Sequence, residues 1–375
     1  MKTYNYVWVF FVLVIMGCTK STNEEEQEKK INSVDADYTV LLKQENKVKA
    51  QLLNADYSSV SLNNENSTFS PILEPEIDYL EANIQTFYRR TSDCKGEIIS
   101  YDFKEKLEKR IDVFTDLLDC SVQVNAVARH GSFFYVAYEE PITVTQKKYV
   151  LRRINSSGSE ISFEEFQLTQ KPLRMVFSNN RLFVLTIDTE VTNENNLLVF
   201  DDNTFEIISN QGMGYNVKNM FKKQGGDVVI SYAELHSIVD VSSLSLKYVR
   251  YEDNKEPNFY EANQYNYDAV GNLYYNKSID DDTISSIPVI YNMETNLATL
   301  YYYENFLREE QINVEYQIKE TTVVAFDDRN GLMLIGYKKT GSNELGGLLR
   351  VKPAPDGAFI DNIDLNGVPY NIFVD

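Results

Sequence analysis

From about residue 34 onward, apolar runs of a few residues alternate with polar turns. The clearest stretch is Arg174–Asn210. Met175–Phe177 runs into Ser178-Asn179-Asn180, and Leu182–Ile187 is apolar apart from one threonine. A polar crossover leads to Leu197–Phe200, the turn Asp201-Asp202-Asn203 and then Phe205–Ile208. Runs this short, bounded by Asn, Asp and Ser, predict β-strands and tight turns rather than helices. The stretch reads as one unit of short strands in sequence.

The unit recurs. Its first turn and following strand reappear as His130-Gly131-Ser132-Phe133, Gly225-Gly226-Asp227-Val228, Val270-Gly271-Asn272-Leu273 and Asn330-Gly331-Leu332. From Phe133 through Leu182, Val228, Leu273 and Leu332 the steps are 49, 46, 45 and 59 residues, and Ile84 lies one step before Phe133. The next strand and its turn keep the same phase. They appear as Ile98–Phe103, as Tyr149–Ile154 before Asn155-Ser156-Ser157-Gly158, and as Leu197–Phe200. Ile238–Val241, Val289–Tyr291 and Leu348–Val351 complete the series.

A period of roughly 45 to 60 residues with about four strands in each is the mark of a β-propeller. One four-stranded sheet cannot bury both its faces, whereas sheets stacked around an axis cover one another and leave only short edges. The chain resembles the six-bladed propeller lipoproteins of Bacteroidetes. Asp268-Ala269-Val270-Gly271-Asn272-Leu273-Tyr274-Tyr275 matches the D-x-x-G-N-L-Y turn of such blades. The cycles run between about Asp78 and Asp364, with further strands expected at Tyr38–Leu42, Val48–Leu53 and Pro369–Val374. The expectation is an all-β propeller, six blades favoured and seven possible, with strands from both termini sharing closure of the ring. A two-sheet sandwich or a solenoid is the structural alternative.

The N-terminus carries a different signal. Val7–Met16 is almost wholly apolar, the length of a signal-peptide core and short for a membrane span. It ends in Ile15-Met16-Gly17-Cys18, which resembles a bacterial lipobox. That resemblance implies cleavage before Cys18 and a lipid on it, in place of an ordinary signal peptide or an uncleaved anchor. Residues 18–33 have no apolar periodicity and read as a tether. Its Glu24-Glu25-Glu26 resembles the export signal of surface lipoproteins in Bacteroidetes-type bacteria, and equally a solvated linker. The expected division is signal peptide 1–17, lipidated tether 18–33 and a single propeller domain 34–375, at the outer membrane and facing the periplasm or the cell surface.

Beyond Cys18 the cysteines are Cys94 and Cys120. An even pair in an exported chain is a disulfide candidate, with two buried thiols as the alternative. No zinc-type spacing is present.

Charge narrows the partners. The formal net charge of −20 repels phosphate backbones, which excludes a nucleic-acid role. The 26 tyrosines and 20 phenylalanines favour strands. Tyr265-Asn266-Tyr267, Tyr274-Tyr275 and Tyr301-Tyr302-Tyr303 also interleave aromatic and polar groups as a sugar-stacking surface does. Adjacent strand residues face opposite ways, so packing between blades accounts for most of them.

Catalytic signals are sparse. The histidines are His130 and His236, separated by more than two cycles, and no nucleophile elbow, P-loop or dinucleotide fingerprint accompanies them. Asp280-Asp281-Asp282 is the densest acidic cluster and a weak metal candidate, lacking the alternation and glycine of a calcium loop. No catalytic residue and no cofactor is indicated. The reading is a lipid-anchored binding or scaffold module for a glycan, peptide or envelope protein. The alternatives are a carboxylate-based polysaccharide hydrolase or lyase and a purely structural envelope subunit. Loops near Asn179, Gly226, Gly271 and Asn330, or those of the opposite face, are where a propeller would hold its site.

Overall fold

The computed structural model describes residues 36–375 except 118, 119, 159, 254, 263 and 356. Cys18, the apolar segment and the tether lie outside the described residues.

Seven antiparallel sheets follow one another along the chain. The fourth blade is the stretch singled out above: Lys171–Ser178, Arg181–Ile187, Asn195–Asp201 and Ile207–Gly214. Asn179 and Asn180 both have positive φ (50° and 55°), the turn that matches strand twist in a two-residue hairpin. The expected fourth strand, Phe205–Ile208, is displaced. Phe205 takes φ 56° and closes the turn through its amide to Asp201, so the strand begins at Ile207 and runs on through polar residues.

The apolar runs lack alternation because each sheet is covered on both faces. Leu182 and Val184 pack with Tyr135, Ala137 and Leu151 of the third blade. Phe183 and Leu185, pointing the other way, pack with Met220, Val228 and Ile230 of the fifth. Comparable clusters fill the other junctions, including one that joins Tyr38, Val40 and Leu42 to Val323 and Leu334. Outer strands such as Leu107–Asp112 are largely exposed, whereas first strands of neighbouring sheets lie against one another around the axis.

The blade count departs from the favoured six. Residues 77–365 build six complete sheets, and the seventh is assembled from both ends of the chain. Tyr38–Gln44 pairs with Lys47–Ala55 on one side and with Val368–Val374 on the other, so the C-terminal strand is the innermost of that blade. Split between termini, it shows no cycle in the sequence. We call this blade the first. Tyr38 Oη donates to Asp327 Oδ2 of the seventh blade at 2.6 Å, a buried bond that ties the closing blade to its neighbour. Gly336 stands at the same seam: a Cβ there would lie 2.6 Å from both Pro369 and Val323.

Two buried arginines brace the sheets. Arg152 holds Asp116 through two bonds of 2.7 and 2.8 Å and also binds Glu165, and Arg350 grips both oxygens of Asp361 at 2.7 Å. Paired this way a buried guanidinium keeps its charge.

Candidate functional site

The innermost strand of every blade lies around the axis, so polar groups that these strands carry meet partners from remote parts of the chain. Asp78, on Ile77–Glu81 of the second blade, accepts from Gln85 Nε2 at 2.7 Å and from Gln264 Nε2 at 3.2 Å. Gln264 lies in the connection just before the first strand of the sixth blade, Asn266–Tyr267, about as far round the ring as seven blades allow. Tyr370, on the closing strand, also shares Asp78, and burial followed by that carboxylate pushes its hydroxyl well above the usual phenol range. Asn371 Nδ2 donates to Gln85 Oε1 at 2.9 Å. Nearer the other end, the Phe177 amide donates to Tyr79 Oη at 3.2 Å, passing over the third blade. The side chains that cross the ring are polar and aromatic.

One mouth of the channel is formed by the turns after the first strands. Glu81 and His130 are the last residues of their inner strands, as is Lys222 of Asn219–Lys222. His130 Nδ1 lies 3.8 Å from Glu81 Oε1, and its ring stacks on Phe177 with centroids 4.0 Å apart and planes 9° from parallel. Burial raises the Glu81 carboxyl above its ordinary range against the opposing pull of Lys222, His130 and Arg129. Even with Lys222 and Arg129 nearby, burial prevails. Arg129 directs a buried Nε that has no hydrogen-bond partner among the described residues.

Two of the other acids at this mouth are committed to their own turns. Asp268 accepts from the amides of Val270 and Asn272, from Asn272 Nδ2 at 2.7 Å and from Tyr274 Oη at 3.1 Å. Asp327 does the same for Arg329, Asn330 and Tyr38. Burial opposes its charge, but the Tyr38 and Asn330 bonds prevail and hold it below the usual carboxylate range. The D-x-x-G-N-L-Y resemblance thus has a structural meaning. Asp268 ties down the turn, and Gly271, at φ 91°, leaves room for Gln224, whose Nε2 bonds Asp268 O at 2.9 Å. Neither aspartate is free to serve as an acid or base, so Glu81 is the inner-strand-end carboxylate left with chemistry to offer. With the half-exposed His130 imidazole and the basic side chains Lys222 and Arg129 beside it, it can bind a polar ligand.

The remaining candidates fall elsewhere. Asp281 Oδ1 accepts from the Thr283 amide (2.7 Å), the Thr283 hydroxyl (2.6 Å) and the Ile284 amide (3.0 Å), and those bonds lower its pKa to about 2. Asp280 and Asp282 are exposed neighbours on that loop, and among the described residues no group of three or more His, Cys, Asp or Glu is placed to share an ion. His236 is fully buried beside Tyr251, Phe259 and Tyr291, and burial, then Lys223 and Lys247, push its pKa down to about 4. Cys94 and Cys120 have Cα atoms 4.9 Å apart, within disulfide reach. Tyr274, Tyr275, Tyr301 and Tyr303 are buried between blades and Tyr302 is exposed, while Tyr265 and Tyr267 are half-buried beside the channel.

Sequence reasoning offered either these turns or the opposite face, did not single out Glu81, Arg129, Phe177 or Lys222, and found no catalytic motif around His130. The signal was in the phase: each sits at or within one residue of the last inner-strand position before a recurring turn.

No family model matches the chain, and no curated protein matches it. Solved structures of similar fold include a functionally unknown protein from Desulfotomaculum acetoxidans, 8% identical over 90% of this chain and 99% of that one, with a TM-score of 0.50. The β-propeller domain of the Trilobed protease from Pyrococcus furiosus is 11% identical over 86% and 98%, with a TM-score of 0.48. A puromycin-hydrolyzing peptidase from Mycobacterium tuberculosis is 9% identical with a TM-score of 0.49; the match covers 88% of this chain and 53% of that one, so this chain spans about half the peptidase's length. The chain is a β-propeller. At these identities the likeness is one of fold alone.

Proposed function

We propose that the chain is a lipid-anchored binding module of the cell envelope, its propeller spanning residues 34–375, which holds a polar glycan or peptide partner at the mouth built by Glu81, His130, Phe177 and Lys222. The observation that carries the reading is the destabilised Glu81 carboxylate beside a stacked imidazole, at a mouth where Asp268 and Asp327 are taken up by their turns. A ligand hydrogen-bond donor or ammonium group would supply what Glu81 lacks. The His130 ring, backed by the buried Phe177, offers a flat half-exposed wall. Recognition of this kind needs no second carboxylate, whereas glycoside cleavage by acid and base needs a positioned pair.

The anchor is supported by Ile15-Met16-Gly17-Cys18 after an apolar run. Mass spectrometry of the envelope-extracted protein, with Cys18→Ala as comparison, tests it. Unmodified Cys18 in the mature protein would remove the anchor from the proposal. For the site, the measurement is a glycan-array and envelope pull-down screen with wild type, Glu81→Gln and His130→Ala. The expected result is a ligand retained by wild type and weakened at least about tenfold by either substitution. A ligand that both variants hold as tightly as wild type would move the site away from this mouth.

A further inference from the structure

On the opposite face, where the second-to-third-strand loops and the blade connections emerge, the sixth and seventh blades frame a cleft of about 670 Å³. That is within the size of small-molecule sites. Its walls come from three separate segments: the loop at Asp282-Thr283, the connection at Asn313 and Ile318-Lys319, and the hairpin from Lys338 to Asn343. In a chain of net charge −20, three lysines line this one concavity.

The lysines are not equivalent. Lys339 pairs with Asp364 at 2.8 Å and Lys338 with Glu320 at 3.5 Å, so both are held against the seventh blade. Lys319 has no carboxylate within ion-pair distance among the described residues, and the charge acting with it is that of Asp281. Its Nζ reaches across to the carbonyls of Asp282 and Thr283, each at 3.4 Å, bonds at the long end of the hydrogen-bond range. An ammonium group has three protons to donate, and these long contacts leave Lys319 able to take a stronger acceptor. Around it, Thr340, Ser342, Asn343 and Asn313 supply hydroxyl and amide groups, and no aromatic ring lines the cleft.

We propose that this cleft is a second ligand site, independent of the mouth, for the anionic unit of an acidic saccharide. Lys319 would take the carboxylate or sulfate and the hydroxyl and amide walls would take the sugar hydroxyls. The Asp282 side chain on the rim works against such a ligand, which gives the proposal two substitutions of opposite sign.

The test is calorimetric titration of the full propeller with glucuronate, glucose 6-sulfate, glucose and inorganic sulfate at low salt, using wild type, Lys319→Gln and Asp282→Asn. Expected is binding of glucuronate or glucose 6-sulfate, weakened about tenfold by K319Q and tightened a few-fold by D282N, with binding falling as salt rises. Which of the two binds identifies carboxylate or sulfate as the anion. Circular dichroism melts establish that each variant is folded, and both substituted residues lie at the protein surface. Failure of both acidic sugars at about 10 mM, equal binding of glucose, equal binding of inorganic sulfate alone, or an unchanged affinity in K319Q would each overturn the proposal. A loss of binding in E81Q equal to that in K319Q would overturn its independence from the mouth.

Discussion

Gln264 donates to Asp78 across the ring at 3.2 Å, joining two residues 186 positions apart whose blades face one another over the channel. Asp78 is also the acceptor for Gln85, so one carboxylate gathers side chains from different blades. Gln264→Ala removes one of these bonds and should lower unfolding free energy by about 1 kcal/mol. Asp78→Ala strands several donors at once and should cost about 2–3 kcal/mol. Urea denaturation of the two variants decides the matter; equal losses would mean that the cross-channel cluster does not act as a unit.

Glu81 should trade stability against binding. Its pKa is raised by burial, so folding disfavours the anion: the group's stabilising contribution is present in acid and lost as pH rises through its raised pKa. Glu81→Gln should therefore melt at or slightly above the wild-type temperature at pH 7.5, and the difference should shrink as pH falls. A variant clearly less stable than wild type at pH 7.5 would show that the surrounding cations, not desolvation, govern this carboxylate.

For His236 the sign is opposite. Its pKa falls from 6.5 to about 4 on folding, so protonation favours the unfolded chain. Stability should be undiminished above pH 6.5 and decline between pH 6.5 and 4, by on the order of 3 kcal/mol in total. His236→Gln, measured by thermal melts across that interval, should flatten the slope. An unchanged slope would assign acid sensitivity to other groups.

Closure of the ring rests on the C-terminal strand and on Tyr38. Tyr38→Phe keeps the packing but leaves Asp327 without its 2.6 Å donor, a loss of about 1–3 kcal/mol. Deleting Val368–Asp375 uncovers the whole first blade, and the expected product is an aggregating or partly unfolded chain. Supplying that segment as a separate peptide should restore a cooperative melt. A deletion that melts like wild type would refute the closure role.

Cys94 and Cys120 bracket the outer two strands of the second blade, with a sequence separation of 26. A bridge there should contribute about 2–4 kcal/mol by restricting the unfolded chain. Thiol titration in denaturant before and after reduction checks for it. Two reactive thiols in protein purified from an oxidising compartment would rule it out.

How much of this was legible can be seen from particular residues. Asn179-Asn180 and the Gly271 turn were readable because positive φ restricts residue choice locally. The run Leu182–Val184 announced a sheet covered on both faces, since neighbouring strand residues point opposite ways and both were apolar. The blade count was harder: the first blade divides between Tyr38–Ala55 and Val368–Val374, so neither half shows a cycle.

The sequence by itself determined the strands, their turns and their period, because backbone conformation and burial pattern are local properties of a few adjacent residues. Only the tertiary structure decided that there are seven blades, that Asp78 meets Gln264, and that Asp268 and Asp327 are spent on their turns while Glu81 is not. Those outcomes depend on which side chains the closed ring brings within about 4 Å of one another. No spacing along the chain encodes a contact between blades facing each other across a channel.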